Sequence, residues 1–357
     1  MSLLDAARNG GANPRELLRL SCTVAYAADA FPNYGINNSD ATFYAEQAEA
    51  ARRFCGMTDA EAAVFIAKGY YSRQLRPRDR LLVLNTNLYA HVNPAMSAAD
   101  AATLHGRESD AARDPDPLGQ FAWMRSHFEW AKANGGRIYI TGHIPPALDS
   151  YVRFPLWHPA YAARYWALVS AYPTLLGFHL FAHLHSAEVR ALHSHDPAVQ
   201  AAPALQILTS VSPIYKSNPS FYTLRAVPST RESNLTLHSF DLGGLLPGAA
   251  PVYKAMPPRP LDARRGLVVS NAQYLELFDT FLQPALNASA AAQFKAFFDQ
   301  YKGGHHGLRL ACEDLDAKFQ DCLSCDRDCR VGFVCLQAHG TSLISYEACV
   351  LAHRRKN

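Results

Sequence analysis

Apolar positions recur at two different periods along this chain, and their alternation predicts a mixed α/β protein. Helical spacing runs over Asp40 to Phe54, with Ser39 as its N-cap. A second helix is expected from Thr58, where Thr58-x-x-Glu61 spells a capping box, to Lys68, with Gly69 to end it. Leu118, Phe121, Met124, Phe128 and Ala131 carry a third to Asn134, where Gly135-Gly136 stops it, and Tyr161 to Ala171 reads as a fourth. Short apolar runs predict strands at Arg80–Asn85, Arg137–Thr141, Leu175–Phe181, Leu205–Leu208, Phe221–Val227 and Leu235–Leu242. Residues 93–118, rich in Ala, Asp and Pro, read as a loop. Past Pro257 the pattern changes, with helices expected over 270–302 and 340–352 and a cysteine cluster between them. The expected organisation is an α/β body over residues 1–260 and a helical, cysteine-rich domain over 261–357, divided near Pro257–Arg264.

Composition narrows the function classes. With 357 residues, 49% of them hydrophobic and 18% charged, the chain can bury a large core and is not a disordered protein. A net charge of +3 is too small for the electrostatic footprint of a nucleic-acid polymer as partner. No run of apolar residues is long enough for a transmembrane span. Met1 to Gly10 (MSLLDAARNG) lacks the pattern of a signal peptide. Six of the eight cysteines nevertheless crowd into the last stretch: Cys312, Cys322, Cys325, Cys329, Cys335 and Cys349. Such density favours a disulfide-stapled cap formed in an oxidising compartment, in pairings the sequence does not choose. A zinc site on Cys322-x2-Cys325-x3-Cys329 is the alternative, and it leaves the other three unused. Sequons at Asn37, Asn234 and Asn287 also point to the secretory route, hence to a secreted, lysosomal or extracellular location. That route conflicts with the missing signal, and the expectation is that Met1 is not the natural beginning of the polypeptide.

Histidine supplies the candidate chemistry. His183 and His185 follow a predicted strand, and on an extended segment positions i and i+2 face one side, so the pair could hold a divalent metal. The alternative is two loop histidines: fifteen histidines produce H-x-H spacings by chance, and His193/His195 is a second such pair. His143 stands in a Gly-His-x-Pro turn at the end of another predicted strand, where α/β proteins place ligands. It could equally hydrogen-bond its own loop. Asn87 and Tyr89 are candidate pocket residues after the Arg80–Asn85 strand, with aromatic packing the alternative for Tyr89; Tyr70 and Tyr71 read as core.

The order of these segments resembles the second half of the calcineurin-like metallophosphoesterases, and more closely their acid sphingomyelinase-like phosphodiesterase branch. The likeness rests on Lys68–Ser72 (KGYYS), Leu82–Asn87 (LVLNTN) with Leu88-Tyr89, Tyr139–Pro146 (YITGHIPP), Phe181–Ser186 (FAHLHS) and Ser210–Phe221 (SVSPIYKSNPSF). The terminal cysteine cluster resembles the branch's disulfide-bonded helical tail. Together these segments run from about residue 29 to the end. The resemblance implies a sandwich of two β-sheets flanked by helices, and a metal-dependent phosphodiesterase in which two zinc ions activate a hydroxide that attacks phosphorus. It implies His143, His183 and His185 as metal ligands, with His183 the catalytic candidate nearest the phosphate, and a phosphodiester small molecule or lipid head group as the ligand. The sequence departs from the family pattern. It contains no D-x-H, no Gly-Asp pair and no Gly-Asn pair, and Ala27 and Ala28 fall where an asparagine and an acid-donating residue should be. Ala182 replaces the glycine before H-x-H, and Ala187, with Glu188 beside it, replaces the acidic residue after it. The expected site is therefore incomplete, with at most about one zinc bound, and the expected missing partner is an N-terminal segment of the same domain. A non-catalytic relative that binds a phosphate ester or lipid head group is the alternative.

Overall fold

The computed structural model describes residues 41–91, 115–151, 153–211, 218–227, 232–240, 270–276 and 327–353, with isolated positions at 252, 254, 255 and 282. It divides into two compact bodies. The first carries the described residues up to Pro146 together with Pro155–Phe181; the second carries Ala147–Phe154 and the chain from Ala182 onward. The expected boundary near Pro257–Arg264 lies outside the described residues.

The first body is a βαβ assembly. Helices α1 (Ala41–Cys55) and α2 (Asp59–Lys68) lead into strand β1 (Tyr71–Arg76), which pairs antiparallel with β2 (Asp79–Val83). The α2 helix starts and stops as its sequence dictates. The Thr58 hydroxyl accepts the Glu61 N–H, the Glu61 carboxylate accepts the Thr58 N–H, and Gly69 closes the helix at φ +70°. Strand β2 runs parallel to β3 (Arg137–Thr141), and β3 parallel to β4 (Leu176–Phe181). Parallel neighbours need crossovers, supplied by α3 (Gln120–Asn134) and α4 (Pro159–Ala171). Every residue of β4 is buried, so it reads as an apolar run interrupted only by His179, whose Nδ1 lies 3.0 Å from the Tyr165 hydroxyl. Because Val83 pairs with Thr141 and Thr141 with Leu180, the three parallel strands finish level at one edge.

The second body holds the short antiparallel pair β5 (Glu188–Arg190) and β6 (Leu205–Ile207), linked through α5 (Pro197–Ala201). It also holds an antiparallel sheet of β7 (Ser220–Val227), β8 (Glu232–Ser239) and β9 (Lys254–Ala255). Helices α6 (Arg327–His339) and α7 (Leu343–His353) close the described chain and are joined by the Cys335–Cys349 disulfide. Val331 and Tyr346 pack around that bond. One correction falls here. The C-terminal part of the cysteine-rich stretch, expected to lie between helices, is itself helical and places Cys329 and Cys335 on α6. Cys335 is committed to a disulfide, as is Cys55 in the first body. Cys312, Cys322 and Cys325 lie outside the described residues, as do Ser39, Asn37 and Asn287. Asn234 sits on β8 opposite Arg225. Among the described residues no helix is long and apolar enough to cross a membrane.

Candidate functional site

The level edge of β2, β3 and β4 is where an α/β sheet offers loops to a ligand. After β2 the chain enters a short 3-10 turn, Thr86–Tyr89. Its entry is clamped by the fully buried Gln120, whose amide accepts the Asn85 N–H at 2.8 Å and donates to the Asn85 carbonyl at 3.1 Å. The loop after β3 carries His143. Gly142 is needed there, because a Cβ at that position would stand 2.7 Å from the Thr86 methyl and 2.8 Å from the Phe181 ring. Next to His143, the Ile144 N–H donates to the Thr86 hydroxyl at 3.0 Å, and its carbonyl accepts the Trp157 indole N–H at 2.8 Å. His143 is thus half-buried on a loop fixed on both sides.

The two pocket candidates of this body part company. Asn87 is half-buried in the 3-10 turn. Tyr89 is fully buried, with ring centroids 4.7 Å from Phe121, 4.6 Å from Trp157 and 5.1 Å from Tyr161. That packing makes Tyr89 part of the aromatic core, the alternative the sequence left open for it. Tyr70 and Tyr71 are core, as expected.

In the second body, His183 and His185 are half-buried, but not on an extended segment. Strand β4 ends at Phe181, and both histidines lie in a bend with positive φ, +73° and +54°. The Leu184 N–H closes back onto the Ala182 carbonyl at 2.9 Å, so His183 is the central residue of a γ-turn of the rare, strained hand. The expectation that alternation along a strand aligns the two imidazoles is overturned: the bend sets their directions. Only four residues of the described chain other than glycine adopt positive φ, and two of them are these histidines. Such strain is held only where surrounding contacts over-determine it.

Those contacts converge on Glu188, the carboxylate the sequence offered in place of the family's acidic residue. It is buried and engaged on every side. Arg190 donates to it at 2.6 Å, the Ser150 hydroxyl lies 2.6 Å from both its oxygens, and the Gln337 amide donates at 2.9 Å. The Ser186 hydroxyl also bonds to it. Burial alone pushes the Glu188 carboxyl up; Arg190 and the two hydroxyls outweigh that and hold it below the usual range. Its charge is compensated within the cluster by the Arg190 guanidinium. Nothing in the local sequence announced Ser150 or Gln337, the latter 149 positions away.

Among the described residues the donors do not fit the two-zinc centre the resemblance implies. Structural and catalytic zinc takes three or four protein ligands, and Glu188 is already paired with Arg190. Among the described residues no group of three or more His, Cys, Asp or Glu side chains is gathered so as to hold a metal ion.

The described fold is mixed α/β, and the curated proteins the chain is similar to are acid sphingomyelinase-like phosphodiesterases. A sphingomyelinase phosphodiesterase D of Dictyostelium discoideum is 32% identical over 108 residues, which cover 30% of this chain and 25% of that protein. Human acid sphingomyelinase-like phosphodiesterase 3b is 27% identical over 161 residues, 44% of this chain and 32% of its own. A human cyclic GMP-AMP phosphodiesterase is 25% identical over 169 residues, 45% and 34% of the two chains. The chain therefore spans between a quarter and about a third of the length of these relatives. No family model matches it.

Proposed function

We propose that this chain carries the histidine-bearing part of a phosphodiesterase site of the acid sphingomyelinase-like class. It recognises a phosphodiester through the bend histidines His183 and His185 and turns it over slowly at best. The observation that carries the reading is the strained bend: two non-glycine residues held at positive φ directly after β4 are both imidazoles. Imidazole N–H groups suit phosphoryl oxygens as hydrogen-bond donors. The relatives support a diester ligand, being named for sphingomyelin in one case and for cyclic GMP-AMP in another. The Cys335–Cys349 disulfide supports a secreted or lumenal location. Slow turnover follows from the missing carboxylates, since the sequence has no D-x-H, Gly-Asp or Gly-Asn segment. On a second reading the chain is a binding protein for phosphate esters with no turnover, and the commitment of Glu188 to Arg190 favours it.

The test uses the full chain dialysed against zinc, with metal content, bis-(p-nitrophenyl) phosphate hydrolysis and phosphocholine binding all measured. We expect at most about one zinc per chain. We also expect phosphocholine binding that is lost in His183→Ala. Two zincs with His183-dependent turnover would show the site to be complete. Absence of both binding and turnover would sink the phosphodiester reading.

A further inference from the structure

The buried cluster around Glu188 lies wholly within the second body and joins three things: the histidine bend, strand β5 and the stapled tail helix α6. We propose that Glu188 is a positioning residue that fixes the His183–His185 bend through Ser186, and that Gln337 of α6 holds Glu188 in place for that task. The proposal rests on the reading of the bend histidines as functional and adds how they are held.

The geometry is specific. Ser186 is fully buried, one residue beyond His185, and its hydroxyl lies within hydrogen-bond distance of Glu188 Oε1 and, at 3.1 Å, of the Leu184 carbonyl inside the bend. That same carbonyl accepts the Tyr151 hydroxyl at 3.1 Å. The peptide between the two histidines is thus gripped from two sides. Glu188 is held in turn by Ser150, Arg190 and Gln337. Gln337 grips twice: its Nε2 donates to Glu188 Oε2, and its Oε1 accepts the Val189 N–H of β5 at 3.0 Å. At the end of α6, Gly340 lies against Arg190 so closely that a Cβ there would stand 2.8 Å from the guanidinium Nε and 2.2 Å from the Leu336 carbonyl. The Leu148 N–H donates to the Gly340 carbonyl at 2.8 Å. A buried ion pair is a weak source of stability, because desolvation offsets most of its attraction. Its retention here is explained by geometry: removing any one grip frees the bend to leave its strained turn.

Diethyl pyrocarbonate labelling of the full chain tests this, with the modification rate of each histidine read by peptide mass spectrometry. Gln337→Leu and Glu188→Gln should raise the rates at His183 and His185 by roughly threefold or more, through local opening. His143, in the other body, and the exposed His195 should stay at their wild-type rates. Ser186→Ala removes one hydroxyl and leaves the Glu188–Arg190 pair standing, so it decides the matter if the other variants misfold; it should reproduce the effect and Ser186→Thr should restore it. Unchanged rates at His183 and His185, or a rise shared by every histidine, would overturn the proposal. The labelling needs neither metal nor turnover. A chain that fails to bind or hydrolyse esters therefore leaves this result standing, while a hydrolysing chain with an unmoved bend rejects the positioning alone.

Discussion

At the scale of single residues, the bend sets a conflict between stability and function. A residue with a Cβ held in a left-handed conformation costs on the order of 1–2 kcal/mol, and glycine escapes that cost. His183, at φ +73°, carries it in full. Two truncations at this position separate the backbone from the imidazole. His183→Ala keeps the strain and removes the ring; His183→Gly removes both. Denaturant melts should find the glycine variant more stable than the alanine variant by about 1 kcal/mol, with phosphocholine binding lost equally in both. Equal stability would mean that the turn relaxes and stores nothing. The same residue shows why H-x-H was a poor guide to geometry. Spacing of two aligns side chains only on an extended backbone, and no feature of Phe181-Ala182-His183-Leu184-His185 marks the point where extension stops.

Two strands that escaped the hydrophobic pattern share one cause, a charged pair on the buried face. In β1 the inward position after Tyr71 is Arg73, buried because Glu61 of α2 receives it in two bonds of 2.8 and 2.9 Å. In β5 all three residues are buried, and Glu188 and Arg190 flank the lone apolar Val189. Both strands carry polar letters where the alternation rule looks for apolar ones, so neither was predicted. Where burial was mainly apolar and uncharged, as in β3, or where a cap had its own chemistry, as in α2, the elements fell within a residue or two of the expected bounds. Glu61 serves two masters, and this makes a prediction. Thr58→Ala removes half of the capping box and should cost about 1 kcal/mol. Glu61→Ala removes the other half and strands a buried guanidinium, so its cost should be about 3–5 kcal/mol. Equilibrium unfolding in urea measures both, and the double variant should fall short of their sum because the two share the cap. Similar costs for the two single variants would show that Arg73 gains nothing from Glu61.

For the molecule as a whole, the division into two bodies assigns each stabilising device a place, and the disulfide belongs to the second. Cys335 is fully buried, Cys349 nearly so, and the bond spans a sequence separation of 14 around the α6–α7 turn. A loop of that size is worth about 3 kcal/mol to the folded state through the unfolded ensemble it constrains. Three of the described cysteines are oxidised, so titration of the denatured, unreduced chain should find fewer than eight free thiols; finding all eight would show the tail to be unstapled. Replacing both Cys335 and Cys349 by serine should then loosen the second body selectively. Amide exchange should quicken in α6 and α7 first, because their shared core is small and centred on the bond. Exchange in β3 and β4 should keep its wild-type rate, since neither strand belongs to that body. Because Gln337 lies two residues beyond Cys335 on the same helix, the loosening should reach the Val189 N–H, whose acceptor is the Gln337 side chain. If α6 frays while the Val189 amide stays protected, strand β5 keeps its order without the tail. Equal acceleration in both bodies would instead make the disulfide a staple of the entire chain.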